Sequence, residues 1–268
     1  SKRMPKIGGV YLQAESEVAS INMVLGAGAA GVRVMTSTSS PGISLMAEGI
    51  SYLAGSDVPC LIVNVQRGGP GLGGIQPSQA DYFQATKSTA HGDFHILVFA
   101  PSTVQETVDM IATAFELGDK YRMPAMVLSD GMLGQMMEPV VLPEAREPDN
   151  DSKDWAVSGH KDKREHNVVN SLYINPQELE TLVKARFERY AEIKEKHQMA
   201  EEYLADDADI IIVAYGSSSR VSRSAIDAAR KQGIKVGMIR PITLWPFPEK
   251  VIEKHVGHAK AFLSVEMS

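Results

Sequence analysis

The chain has 268 residues, 44% of them hydrophobic, and a formal net charge of -6 from 27 basic and 33 acidic side chains. That is enough apolar material for two cores, and it carries no positive field that would hold a nucleic-acid backbone. A single cysteine, Cys60, excludes an internal disulfide framework and cannot alone ligate zinc or an iron–sulfur cluster, so iron–sulfur chemistry has to lie on another chain. No run reaches the roughly 18 to 20 apolar residues of a membrane helix, and Ser1-Lys2-Arg3-Met4-Pro5 lacks the apolar centre of a signal peptide, so a soluble, cytoplasmic chain is expected. The start without an initiator methionine and the stop just after a strand-like segment point to ends that are cut away.

In chain order, Gly9 to Gln13 reads as a short strand and Ser16 to Ala29 as a helix with Val18, Ile21, Val24 and Leu25 at helical spacing. The small residues Gly26 to Gly31 allow that helix to approach a neighbouring backbone and then end it. Val32 to Met35 is the second strand. A loop of Thr36, Ser37, Thr38, Ser39 and Ser40 leads to Pro41 and Gly42, where a helix begins that runs to Gly55. The mostly apolar run Pro59 to Val65 marks a parallel strand covered on both faces, ending at Gln66-Arg67.

Past a glycine loop, Ser78 to Thr86 is expected to be helical and Phe94 to Phe99 a strand. Ser102 to Gln105 has the spacing of a capping box before a helix at Val104 to Tyr121, and Met123 to Ser129 is another strand. Residues 146–200 hold the charged runs Asp149 to Asp154 and His160 to Glu165, read as linker or surface excursion, and a charged helix over Pro176 to Met199. A second αβ pattern follows, with strands at Ile210 to Tyr215, Lys235 to Ile239 and Ala261 to Glu266. Gly216 to Ser219 reads as a turn, Arg220 to Lys231 as a helix, and Arg240 to Pro248 as a rigid proline-rich connector. Strands alternating with helices predict an α/β fold built on a doubly wound, mostly parallel sheet. The expected division is a first domain at 1–145, a linker with its helix at 146–200, and a second αβ domain at 201–268.

The candidate chemistry gathers where strands hand over to helices, the ligand edge of an open α/β sheet. Gly69-Pro70-Gly71-Leu72-Gly73-Gly74 satisfies G-x-G-x-x-G, but Arg67 and Gly68 separate it from the strand and Pro77 from the helix. A substrate-covering loop is therefore favoured over a nicotinamide site. Glu15 and Glu17 sit in the first turn of a helix, where the macrodipole alone would account for an acid. Small and apolar residues follow Glu17, however, and a carboxyl shielded in such a pocket can serve as a proton donor. One of the five hydroxyls from Thr36 to Ser40 is needed for capping; five exceed that need. Arg67 is either a surface ion-pair partner or a planar fork for a carboxylate. Cys60 and the methionines read as packing. His91 and His95 read as loop and strand residues, with no second cluster to complete a metal site.

Glu15-Ser16-Glu17-Val18-Ala19, Thr36 through Glu48, Arg67-Gly68-Gly69-Pro70-Gly71 and Asp130-Gly131-Met132-Leu133-Gly134-Gln135 resemble the α subunit of the 2-oxoacid:ferredoxin oxidoreductases. Gly73 through Lys87 with His91-Gly92-Asp93 is most similar to the branched-chain branch of that family, which acts on 2-ketoisovalerate (3-methyl-2-oxobutanoate). Gly216, Arg240-Pro241 and Trp245-Pro246-Phe247-Pro248 resemble its transketolase C-terminal-like domain.

The resemblance implies a pyrimidine-type thiamine-diphosphate domain followed by that second domain, and an oxidoreductase that converts a branched-chain 2-oxoacid to acyl-CoA and carbon dioxide while reducing ferredoxin. By the same resemblance Glu17 holds N1′ of the aminopyrimidine as the catalytic acid. Ser40, Pro41 and Gly42 bind the cofactor, and Arg67, Thr36, Ser37, Thr38 and Ser39 bind the substrate. Mg²⁺ and the iron–sulfur clusters are expected on partner chains: a thiamine-diphosphate-binding β subunit, a γ subunit and a ferredoxin-like subunit. Coenzyme A and ferredoxin complete the partners. The family's Tyr-Pro-Ile-Thr-Pro-type motif, which helps to hold the substrate carboxylate, is missing here. The same chemistry on 2-oxoglutarate or another 2-oxoacid, and a noncatalytic assembly subunit, are the alternatives.

Overall fold

The computed structural model describes residues 2–87, 89–144, 153–160 and 162–268. In chain order the elements are α1 (Glu17–Ala29), β1 (Met35–Thr38), α2 (Ser40–Gly55), β2 (Leu61–Gln66), α3 (Tyr82–Thr86), β3 (Leu97–Phe99), α4 (Val104–Tyr121), β4 (Ala125–Asp130), α5 (Pro176–Lys196), β5 (Ala200–Tyr203), β6 (Ile210–Val213), α6 (Gly216–Lys231), β7 (Val236–Pro241), β8 (Thr243–Trp245), α7 (Glu249–Glu253) and β9 (Ala261–Ser264).

Two sheets hold the chain. The first has five strands in the order β1-β2-β4-β3-β8, the first four parallel and β8 antiparallel on the β3 edge; the second has four, in the order β5-β7-β6-β9. The middle strands of the first sheet are apolar because helices cover both faces: every residue of β4 is buried, and Leu61, Ile62 and Phe99 are fully so. In parallel pairing Thr38 lies level with Asn64, and Gln66 with Asp130, so a line of polar side chains collects at the carboxyl ends of the strands. Helix α1 packs along α2, and Gly28 near its end meets Val58 so closely that an added Cβ would lie 2.7 Å from Val58 Cγ1.

Several expectations from the sequence change. Gly9 to Gln13 is no strand: a 3-10 turn at Met4–Ile7 precedes a segment without regular structure in which Val10, Tyr11 and Leu12 are exposed. The second strand begins at Met35, not Val32, so Thr36, Ser37 and Thr38 belong to β1 rather than to a loop, as suits β-branched threonine on a pleated surface. The helix expected over Ser78 to Thr86 shrinks to α3, since Gln79 N and Ser78 Oγ bind Met267 O at 2.7 and 3.2 Å. The cap of α4 falls one residue later than its spacing implied. Thr103 Oγ1 accepts from Glu106 N at 3.0 Å, while Glu106 reaches back to Ser102 N at 2.7 Å.

The hydroxyl run Gly216 to Ser219 is the buried first turn of α6, not a free turn. Arg240 to Pro248 is less a connector than the end of β7 followed by β8, which crosses to the first sheet. The antiparallel strand β5, with its two acids Glu201 and Glu202, had no apolar alternation to announce it. Of the charged runs, residues 149–152 lie outside the described residues. The next stretch is pinned rather than splayed: Lys153 pairs with Asp119 at 2.7 Å, Ala156 is buried and Val157 N donates to Ala29 O at 2.9 Å.

The two sheets meet through polar side chains. Ser217 Oγ donates to Asp130 Oδ2 at 2.6 Å, Ser218 Oγ to Gln79 Oε1 at 2.6 Å, and Gln79 Nε2 to Tyr215 O at 2.8 Å. Arg240, only 3% exposed, donates to both oxygens of Glu106 at 2.8 and 2.9 Å and to Glu201 Oε2 at 2.9 Å. Burial opposes ionisation of Glu106, but the hydrogen bonds from Arg240 and Ser102 outweigh it and hold its carboxyl below the usual carboxylate range.

Candidate active site

Helix α1 starts at the sheet edge because Ser16 caps it, its Oγ accepting from Ala19 N at 3.2 Å. The same hydroxyl donates to Glu15 Oε1 at 2.9 Å, so Glu15 is engaged at the helix end. Glu17, half-buried one residue on, has no hydrogen bond or ion pair among the described residues. Glu15 lies before the N-cap and outside the helix, so of the two acids expected in its first turn only Glu17 is there.

Glu17 opens onto a groove of about 410 Å³ whose walls include Tyr11, Gln13, Ser20, Thr36, Ser37 and Met46. Thr36 Oγ1 and Ser20 Oγ share a hydrogen bond of 2.8 Å across the floor. Behind it the first turn of α2 is pressed against the acid: a Cβ on Gly42 would lie 2.0 Å from Thr38 Oγ1 and 2.9 Å from Glu17 Cγ. Only glycine lets α2 begin there.

Ser39, Ser40 and Arg67 form a second cluster on the same edge and are not among the groove's walls. Ser39 occupies the N-cap position of α2 without capping it; its Oγ accepts from Arg67 Nε at 3.1 Å. Arg67 Nη1 donates to Leu72 O and, at 3.1 Å, to Gly74 O, so the guanidinium holds the glycine loop. Nη2 has no hydrogen bond among the described residues. The structure thus brings Glu17, Thr36, Ser37, Thr38 and Gly42 together and sets Ser39, Ser40 and Arg67 beside them as the anchor of the loop.

Sequence reasoning missed Asp81, Asn64 and Gln66. Asn64 and Gln66 are polar interruptions at the end of an otherwise apolar strand, both at most 1% exposed, and that was their signal. Asp81 Oδ2 accepts from Ser40 Oγ at 2.6 Å and from Asn64 Nδ2 at 2.9 Å, a pairing that no spacing in the chain foretells. Cys60 is buried, and desolvation pushes its thiol up to about 12, which makes it inert packing. Glu202, Asp206 and His255 converge within 4.8 Å, but Lys254 Nζ already lies 3.0 Å from Glu202 and 3.4 Å from Asp206. No described helix is long and apolar enough to cross a membrane.

Two family profiles divide the chain: pyruvate flavodoxin/ferredoxin oxidoreductase, thiamine-diphosphate-binding, over residues 1–207, and pyruvate:ferredoxin oxidoreductase core domain II over residues 208–268. The chain is 51% identical to ketoisovalerate oxidoreductase subunit VorB of Methanothermobacter thermautotrophicus, covering all of this chain and 76% of that protein. It is 35% identical to 2-oxoglutarate synthase subunit KorA of Methanothermobacter marburgensis, over 99% of this chain and 77% of that one. Among solved structures, the 2-oxoglutarate:ferredoxin oxidoreductase of Magnetococcus marinus, with 2-oxoglutarate, coenzyme A and succinyl-CoA bound, superposes with a TM-score of 0.85 at 29% identity. All of this chain is covered there, and it spans 51% of that longer one. A split-gene transketolase shares the fold at a TM-score of 0.58, 13% identity and 98% coverage of this chain, 66% of its own.

Proposed function

The chain belongs to the pyruvate flavodoxin/ferredoxin oxidoreductase family of thiamine-diphosphate 2-oxoacid:ferredoxin oxidoreductases, and from that premise we propose that it is the pyrimidine-binding subunit of an enzyme that oxidatively decarboxylates 3-methyl-2-oxobutanoate to an acyl-CoA. The observation that carries this reading is Glu17: a carboxyl without a partner among the described residues, facing an open groove, with Gly42 packed behind it. An aminopyrimidine ring fits such a place, since it offers a ring nitrogen to one carboxyl and a flat face to a floor of small side chains. Bound there, thiamine diphosphate supplies the electron sink that decarboxylation of a 2-oxoacid requires.

This chain's own residues supply position and protonation. Glu17 holds a proton at the N1′ end of the ring. The first turn of α2, with Ser40, Pro41 and Gly42, backs the cofactor. Thr36, Ser37, Thr38 and Ser39 line the substrate side, and Arg67, with Nη2 unspent, meets a carboxylate while its other nitrogens keep the glycine loop down. Mg²⁺, the diphosphate and the iron–sulfur clusters fall to partner subunits, in keeping with one inert cysteine. Coenzyme A receives the acyl group and ferredoxin the electrons. The branched substrate rests on the 51% identity to a ketoisovalerate oxidoreductase subunit against 35% to a 2-oxoglutarate synthase subunit.

The test is 2-oxoacid-dependent reduction of a viologen dye by the copurified complex, with coenzyme A, comparing 3-methyl-2-oxobutanoate, 2-oxoglutarate and pyruvate with and without thiamine diphosphate. Thiamine-dependent preference for the branched acid is expected. Preference for another acid corrects the substrate, and an intact complex inert with all three leaves an assembly role.

A further inference from the structure

Asp81 precedes α3, where capping is the ordinary role of an aspartate, yet its side chain caps nothing. Its Oδ2 instead accepts from Ser40 Oγ at 2.6 Å and from Asn64 Nδ2 at 2.9 Å, and its backbone N–H donates to Gln66 Oε1 at 3.1 Å. Ser40 Oγ accepts from Arg67 N at 3.1 Å, and Ser39 Oγ accepts from Arg67 Nε at 3.1 Å. The loop that leaves β2 at Arg67 and returns at Asp81 is therefore fastened at both ends to the two serines that open α2. Between those ends it closes on itself, with Gly68 N donating to Gln76 O at 2.9 Å and Gly74 N to Gly68 O at 2.8 Å.

Asn64 adds an independent sign that this fastening has a purpose. It is fully buried in the middle of the sheet, and its Oδ1 has no partner among the described residues. Packing alone would be better served by an aliphatic side chain there, since a buried acceptor left unpaired costs stability. What the amide provides is a second donor that fixes the Asp81 carboxylate. One turn of helix then transmits the position of Ser40 to Gly42, which touches Glu17 and Thr38.

We infer that Asp81 is a positioning residue for the reaction proposed above: through Ser40 it sets the seat of the 68–80 loop and the aim of Arg67 relative to the Glu17 groove. The role is geometric, so an oxygen at the Oδ2 position that accepts from Ser40 and Asn64 is sufficient, and asparagine provides one.

The experiment uses the assembled complex with Asp81→Ala and Asp81→Asn. Asp81→Ala is expected to raise KM for the 2-oxoacid about tenfold, the scale of about one lost hydrogen bond, while kcat changes by less than about twofold. Amide hydrogen exchange measured without substrate should accelerate over residues 68–77 and stay unchanged in β2 and β4. Asp81→Asn should restore both. An unchanged KM, unchanged exchange in the loop, or acceleration across the whole first sheet overturns the inference. A Glu17→Gln complex that kept full turnover would sink the catalytic reading separately, and the exchange data would still decide the fastening.

Discussion

Two polar regions of this molecule are built from the same residue types and do different work. At the seam between the sheets, Asp130, Gln79, Ser217, Ser218, Glu106 and Arg240 are each matched by a partner in the chain at 2.6 to 2.9 Å. At the groove, Glu17 has no partner and Arg67 keeps one nitrogen free among the described residues. A polar side chain whose bonding is complete contributes to the fold. One that faces an open groove with its bonding incomplete can take a partner from outside.

The sharpest way to break that contrast is Glu17→Gln. In the assembled complex it should lower turnover by at least about a hundredfold, as expected when a positioned acid or base is lost, with the thermal midpoint unchanged because no protein bond is broken. A large fall in the midpoint would move Glu17 to the structural side of the comparison. At the seam the expected effects are reversed. Arg240→Met should cost about 2 to 3 kcal/mol, since it strands the Glu106 and Glu201 carboxylates, which are still partly exposed; chemical denaturation would measure it.

Gly42→Ala tests the contact between fold and site. Its Cβ has no room beside Thr38 Oγ1 and Glu17 Cγ, so a loss of about 1 to 3 kcal/mol is expected together with weakened thiamine diphosphate binding. The smallest effect is one of pH. The Glu106 carboxyl is held below its ordinary value of 4.5 in the folded chain, so the unfolded chain takes up its proton first as the solution is acidified. The stability contributed by Glu106 is present above that value and is lost as pH falls through the lower folded one. Thermal melts from pH 6 downward should therefore decline less steeply for Glu106→Gln than for the unaltered chain.

Composition, apolar runs and spacing determined the parallel α/β class, the helices α1, α2, α4 and α5 to within a few residues, and β2 and β4, because a strand covered on both faces leaves a mostly apolar signature. They also singled out Glu17, the hydroxyls from Thr36 to Ser40 and Arg67, residues whose chemistry exceeds what a helix end or a turn requires. Tertiary structure alone decided that the hydroxyls lie mostly in a strand, that the Gly216 to Ser219 run is buried against Asp130 and Gln79, and that β8 crosses to the first sheet. It also separated Glu15 from Glu17 and revealed Asp81, 41 residues from the Ser40 that it holds. Periodicity reports which face of an element is buried. It does not report which polar groups, far apart in the chain, will spend their hydrogen bonds on each other, and that choice is what leaves Glu17 free.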